Sequence, residues 1–382
     1  MHDTVEHYLG VEEALPAPEQ ELALRFTGSG KEYFRIWIVN LMLTVITLGV
    51  YSAWAKVRRL RYFDRNTELG GVVFDFDGNP KAILLGRVVA LGLLAAYHYA
   101  VGFSQAVALG VLLGLLALLP VLMRGALRFR IGNTRFRGLR FQFTGSIADA
   151  YRAFLPVFAF FFAPALLAIL VPHYLKLVPL VWLLWPFMHG NTKCYQHDNV
   201  AFASLQSYVS VSPSDFYGPY LRVLGVSLLV LLAVGAVGAL LAVGVSAAKH
   251  AGNIDLTRLG TWMPALFGAA IGYLAYLLSG PYLQVRVGNL LWSNTSFLGL
   301  RIESTMRARE FIKLQAVNGM LTLLSLGLYR PFAVVRVYQY RIAHLRVSAD
   351  SSLERELATA AEAPRKVRAD GVGDFLGVDI SW

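Results

Sequence analysis

The sequence predicts an α-helical polytopic membrane protein, with about six crossings, two re-entrant helical elements and a small β-layer of repeated short strands on the cytoplasmic face. Three observations lead there: an apolar composition, basic residues sorted onto alternate connections, and blocks of sequence that recur. Apolar residues make up 56% of the chain and charged residues 15%, and the mean hydropathy is +0.52, far from the balance of an ordinary soluble domain. A run of about 20 apolar residues is needed to cross the hydrocarbon core as a helix. Six stretches meet or approach that length: Ala82 to Val101, Phe103 to Met123, Tyr151 to Val171, Tyr174 to Met188, Leu221 to Ala247 and Thr261 to Val285.

The start of the chain is polar and acid-rich (Glu6, Glu12, Glu13, Glu19, Glu21), unlike a signal peptide with its basic segment and short apolar core. Residues 1–21 read as a disordered tail, 22–346 as the repeat-built membrane domain, and 347–382 as a flexible mixed-charge tail. One cysteine, Cys194, excludes an intrachain disulfide framework. The net charge of +11 is a matter of placement. Lys56, Arg58, Arg59, Arg61 and Arg65, then Arg124, Arg128 and Arg130, then Lys193, then Arg286 and Arg301 fall on one set of connections. The alternate connections carry almost no charge, so the basic side is expected in the cytoplasm, with both termini there. Anionic lipid headgroups are the partners that such a rim implies, and no nucleic-acid partner is expected.

Between the apolar runs, four stretches share one grammar: a basic helix end, Asn-Thr or its relic, an alternating run, then a polar turn into the next helix. They begin at Asn66-Thr67, Asn133-Thr134, Asn199-Val200 and Asn294-Thr295, and Leu22 to Phe26 makes a fifth, incomplete copy. Period-two alternation with aromatic and β-branched residues predicts strands. Such strands are too short to stand alone, so they should pair with one another. If every copy lies on one face, Phe34 to Trp54 must enter the membrane and turn back near Thr47-Leu48-Gly49, with an amphipathic return from Tyr51 to Phe63. Phe311 to Arg346 should do the same around Ser325-Leu326-Gly327, where Pro331 reinforces the break. The alternative is that both segments span, giving eight crossings.

The run Phe26-Thr27-Gly28-Ser29-Gly30, Tyr33-Phe34, Asn40, Leu43-Thr44, Thr47 to Arg59, Tyr62, Asn66-Thr67 and Phe74 to Arg87 resembles the YjgN family of bacterial inner-membrane proteins. The resemblance implies a polytopic protein of the cytoplasmic membrane whose biochemical function is unknown, so it carries no mechanism.

Candidate chemistry is sparse. Gly28-Ser29-Gly30-Lys31 lacks the upstream Gly and the Ser or Thr after Lys that a phosphate loop needs. Asp75, Asp77 and Asn79 have no closing glutamate for calcium, and His189, Cys194 and His197 match no zinc spacing; no cofactor or metal is expected. Arg87, Arg152 and Arg222 sit in the first turns of successive crossings. There they either snorkel to the interface or form a ring of cations for lipid phosphate or an anionic solute. Asn40 and Asn318, each with a local threonine partner (Thr44, Thr322), would lie in the two broken helices. An amide in such a place must find a partner, and paired broken helices point to a transporter site. The expected function is therefore non-enzymatic binding or transport of a lipid or small solute, with a membrane scaffold that docks a cytoplasmic partner as the alternative.

Overall fold

A computed structural model describes residues 20–170, 181–203, 205–250, 257–297 and 299–350. Its frame is a sheet of short antiparallel strands: β1 (Gln20–Leu22), β2 (Leu24–Phe26), β3 (Thr67–Leu69), β4 (Val72–Phe76), β5 (Thr134–Phe136), β6 (Leu139–Phe143), β7 (Val200–Phe202), β8 (Leu205–Val209), β9 (Thr295–Phe297), β10 (Leu300–Ser304) and β11 (Leu345–Ala349). The strand order is β1-β11-β10-β9-β8-β7-β6-β5-β4-β3-β2. The two ends of that order, β1 and β2, are separated in the chain by Ala23 alone. Leu22 pairs with Val347 and Leu24 pairs with Leu69, while the Ala23 carbonyl accepts from the Gly70 amide at 3.0 Å. The sheet therefore closes on itself through this one bent strand, whose first half pairs with β11 and whose second half pairs with β3.

Five helical excursions leave this ring and return to it. They run from α1 (Gly30–Ile46) to α2 (Ser52–Arg65), α3 (Pro80–Phe103) to α4 (Gln105–Gly132), α5 (Ile147–Leu170) to α6 (Trp185–Asp198), α7 (Tyr217–His250) to α8 (Thr257–Trp292), and α9 (Ala308–Leu324) to α10 (Arg330–Ala343). Each return helix ends in the same way. A side chain at the C-cap reaches back to the carbonyl four residues earlier: Asn66 to Tyr62, Asn133 to Phe129, Asn199 to Tyr195 and Asn294 to Leu290, at 2.7–2.9 Å. His344 takes the same place, its Nδ1 at 2.7 Å from the Tyr340 carbonyl. The cap's own carbonyl then accepts an amide from the neighbouring strand end: Thr27, Asp77, Thr144, Ser210 and Thr305 donate at 2.9–3.0 Å. These contacts satisfy groups that a helix terminus leaves without an intrahelical partner, and they weld helix end to strand end. The Asn-Thr signature is thus a capping device.

Alternation holds within the ring. Leu69, Phe136, Phe202, Leu205, Val347 and Ala349 form one buried cluster inside it, with Leu22, Leu24, Phe74 and Phe141 packed against them, while Glu68, Arg140, Gln206, Arg301 and Arg346 face outward. The β3–β4 and β5–β6 connections are two-residue turns with positive φ at both central residues, the hairpin geometry whose twist matches the strands. Sequence grammar missed strand β11, and it left most of β1 in the expected N-terminal tail. Leu345–Ala349 follows His344, with no Asn-Thr to announce it, and begins where the membrane domain was expected to close.

Among the described residues, three stretches are long and apolar enough to cross a membrane: Pro80–Phe103, Gln105–Gly132 and Pro213–Leu240. They coincide with three of the six expected crossings; the other three fall partly outside the residues, or the side chains, that the structure describes. Leu224, Val226, Leu228, Leu229, Leu231 and Leu232 are each more than half exposed. Leaving such side chains in water forgoes roughly 1.5–3 kcal/mol apiece, a penalty that hydrocarbon surroundings remove.

The turn from strand to helix shows why Phe-Thr-Gly-Ser recurs. Ser29 caps α1 through a capping box with Glu32, and Ser146 accepts from the Asp149 amide at 3.1 Å. A Cβ on Gly145 would lie 2.7 Å from the Tyr195 hydroxyl and 2.8 Å from the Phe143 ring. Both rings belong to one buried cluster, so neither can move aside cheaply. Gly145→Ala is expected to lower stability by about 1–3 kcal/mol, whereas Gly92→Ala in α3, where nothing lies within 4 Å, should cost nothing; thermal unfolding of the two purified variants checks the contrast.

Candidate functional site

Two regions compete for attention, the paired helical hairpins and the interior of the ring. In the first hairpin α1 turns into α2 through Leu48 (φ 49°) and Gly49 (φ 93°); in the last, α9 turns into α10 through Leu326 (φ 50°) and Gly327 (φ 92°). Their bonding matches residue for residue. The Thr44 hydroxyl donates to the Asn40 carbonyl and Thr322 to that of Asn318, both at 2.6 Å. Arg58 Nη1 donates to Asn40 Oδ1 at 3.3 Å and to the Tyr51 hydroxyl at 3.0 Å. Arg336 does so to Asn318 and Tyr329 at 3.4 and 2.9 Å. Each buried amide is thus engaged by an arginine of its own return helix. Asn40 and Asn318 do not bond each other, and neither is among the residues that line the chamber inside the ring.

The expected cation ring is also dispersed. Arg87 donates to the Ser52 hydroxyl, Arg152 is exposed beside Asp149 at 3.1 Å, and Arg222 is exposed on α7. His189, Cys194 and His197 turn to separate neighbours: the Tyr220 hydroxyl, the Val211 carbonyl and the Thr295 hydroxyl.

What the structure does bring together lies inside the ring. About eight strands suffice for side chains to fill a barrel, and wider ones leave space. Here a chamber of about 1060 Å³ remains, at the upper end of the roughly 300–1,000 Å³ usual for ligand pockets. It has three tiers. The mouth, at the hairpin turns, carries Gln20, Arg137 and Asp350; the wall is apolar, from Phe136, Phe141, Phe202, Leu205, Phe297 and Val347. The floor comes from the return helices, where polar side chains stand among apolar ones such as Leu127 and Leu291, the polar ones chiefly at positions two, three and six before the capping residue. There stand Asp64, Arg130, Lys193, Gln196, His197, Tyr338 and Arg341, with Gln284 one turn further back.

The floor's charges are handled unequally. Arg130 forms a two-pronged pair with Asp64, both bonds at 2.9 Å, and lies over the Phe76 ring at 5.1 Å. Arg341 donates to the neutral Gln284 at 2.9 Å and lies over Phe311. Burial holds the Lys193 ammonium below its usual pKa, and repulsion from Arg341 adds to this. His197, beyond the apolar stretch ending at Met188, packs edge-on to Trp292 and bonds Thr295 at 3.3 Å. Burial, with a smaller push from Lys193, depresses its pKa from 6.5 to about 3. The sequence signal for this floor was present in the spacing from each cap, but its residues come from different helices hundreds of positions apart.

Because His197 titrates lower folded than unfolded, the unfolded chain takes the proton first, so the neutral imidazole's stability is complete above pH 6.5 and drains as pH falls toward about 3. One such group contributes a slope of up to about 1.4 kcal/mol per pH unit. The thermal midpoint should therefore fall on acidification through that window, and His197→Gln should flatten the decline.

Comparison with known proteins follows from this geometry. A family described as bacterial proteins of unknown function (DUF898) matches residues 21–375. The chain is similar to proteins named inner membrane protein YjgN: 34% identical over 144 residues to that of Salmonella typhimurium, 35% of each chain. It is 33% identical over 150 residues to that of Escherichia coli K12, covering 38% of this chain and 35% of the relative. The matched stretches thus span about a third of those relatives. No solved structure matches. The chain belongs to the DUF898 family, in which the YjgN proteins are its curated relatives.

Proposed function

We propose that the protein is a non-enzymatic inner-membrane protein that binds, or passes on, a lipid or small solute in the chamber enclosed by its strands. One observation carries the reading: a large internal space with an apolar wall and a polar, charged floor, held open by a ring that the backbone closes. Ligand sites have this composition, many apolar walls and few placed polar groups. No nucleophile with a base, carboxylate pair or metal cluster gathers there among the described residues, so binding is favoured over chemistry. The partner-docking alternative needs an extended open strand edge, and among the described residues only the three-residue strands β1 and β2 have an edge without a strand partner.

Placement in the membrane follows from the same features. The sorted arginines favour the ring, and both termini, on the cytoplasmic side, where the basic rim would meet anionic headgroups. The tips of the first and last hairpins, Leu48 and Leu326, are 95% and 94% exposed. Helices α1 and α9, 17 residues each, are about 25 Å long, short of the ~30 Å core. Dipping in and turning back suits them better than crossing. The matched bonding of the five excursions supports descent from one repeated unit.

Two measurements test these readings. Mass spectrometry of small molecules released from the purified full chain is expected to find one class in near-stoichiometric amount, and Leu205→Trp, which fills the chamber, should remove most of it; unchanged retention in a folded variant overturns the chamber. Reporter fusions at the two ends should both report cytoplasmic, and two periplasmic reports would reject the re-entrant hairpins.

A further inference from the structure

We infer that the first and last helical hairpins each hold the phosphate of one membrane phospholipid, gripped by Arg58 on one and by Arg336 on the other; this rests on the hairpins dipping into the membrane. The two guanidiniums are engaged in the same incomplete way. Nη1 of each donates to the buried asparagine and to the tyrosine of its own hairpin, and neither acceptor carries a charge. Among the described residues, Nε and Nη2 of both arginines meet no partner, and both residues are exposed. That Nε–Nη2 edge is the fork that takes two oxygens of one anion. Arg65 shows it in use: its Nε and Nη2 donate to the two carboxylate oxygens of Asp75, at 2.7 and 3.5 Å.

The level at which these forks stand selects the anion. On the first hairpin every exposed residue from Leu41 to Val50 is uncharged, and on the last the same holds from Ala316 to Leu328. Exposed cations begin on the ring side of that apolar surface: Lys31 and Arg35 on α1, Arg309 and Lys313 on α9. Arg58 and Arg336, bonded to Asn40 and Asn318, stand at the boundary, each six residues into its return helix and so about 9 Å from that helix's start. Exposed apolar tips favour hydrocarbon and exposed cations favour headgroups; a phospholipid carries its phosphate where the two meet. Arg330, at the start of α10, is an exposed cation on the tip side, and its stem is long enough to lean back toward the same level. The plainer account is that each arginine serves only its buried asparagine. That task needs one donor, which Nη1 supplies, and it leaves an exposed fork in both hairpins unexplained.

Native mass spectrometry of the full chain separates the two accounts. Wild type and variants are offered dioleoylphosphatidic acid, dioleoylglycerol and glycerol 3-phosphate in equal amounts. Occupancy by the phosphatidic acid should exceed that by dioleoylglycerol, which has the same chains and no phosphate, by about tenfold. Arg58→Gln and Arg336→Gln should each remove one bound molecule relative to wild type, and the double variant two; Leu205→Trp, which fills the chamber, should leave both in place. Arg58→Lys keeps the charge and a donor for Asn40 but has no fork, so its molecule should fall about tenfold in occupancy with an unchanged thermal midpoint. Equal retention of phosphatidic acid and dioleoylglycerol, wild-type occupancy in Arg58→Lys or in the double variant, or loss of both molecules in Leu205→Trp overturns the inference. Glycerol 3-phosphate held as well as the lipid would assign the forks to a soluble phosphate and overturn it too. Reporter fusions judge the dipping independently: cytoplasmic ends with no phosphate preference leave the hairpins re-entrant and the two sites refuted.

Discussion

Closure of the sheet at Ala23 is the constraint on which the remaining architecture depends. Strands of three to five residues cannot hold a sheet by side-chain packing alone, and an extended open edge would expose unpaired amides. By pairing Leu22 with Val347 and Leu24 with Leu69, one bent strand joins the first excursion to the last. That pairing fixes the ring's circumference, which in turn leaves an interior wider than its side chains fill. It also sets the neighbours of the two shortest hairpins: Phe34 of α1 stacks on Phe332 of α10 at 5.4 Å, and Phe26 meets Tyr338 at 4.9 Å.

Helix ends are the second consequence. Each return helix must stop where a strand begins, and the chain solves this with a side chain folded back on the helix and a carbonyl offered to the next strand. Because the cap fixes the helix's rotation about its axis, residues counted back from it in steps of three are aimed at the ring's centre. Arg130 and Arg341 both stand three before their caps; Lys193 and Tyr338 stand six before theirs. The charged floor is therefore a product of capping geometry, and a helix that ended one residue later would turn its polar groups away from the chamber.

Much of this was legible in the sequence, and the exceptions have physical reasons. Alternation marked the strands because one face is apolar and the other wet, and Asn-Thr marked their beginnings because an amide is the side chain that caps in this geometry. Leu345–Ala349 escaped because His344 performs the asparagine's task with a different group. The hairpin asparagines were legible as buried polar groups needing partners, but of those partners Arg58 was read as a member of a basic rim and Arg336 was not singled out. The chamber could not be read at all: closure depends on pairing between residues more than three hundred positions apart, which no local pattern announces.

A protein that kept its interior purely apolar would be more stable than one that places Lys193 and Arg341 together under a greasy wall. Arg130 shows that the fold can answer a floor cation with a carboxylate, and the cap geometry offers equivalent positions for another. Leu291, three before Asn294, and Leu127, six before Asn133, line the chamber at the matching heights, and either could carry an acid without altering the ring. Charge at the meeting point of five helices is thus a feature of composition that the backbone does not force.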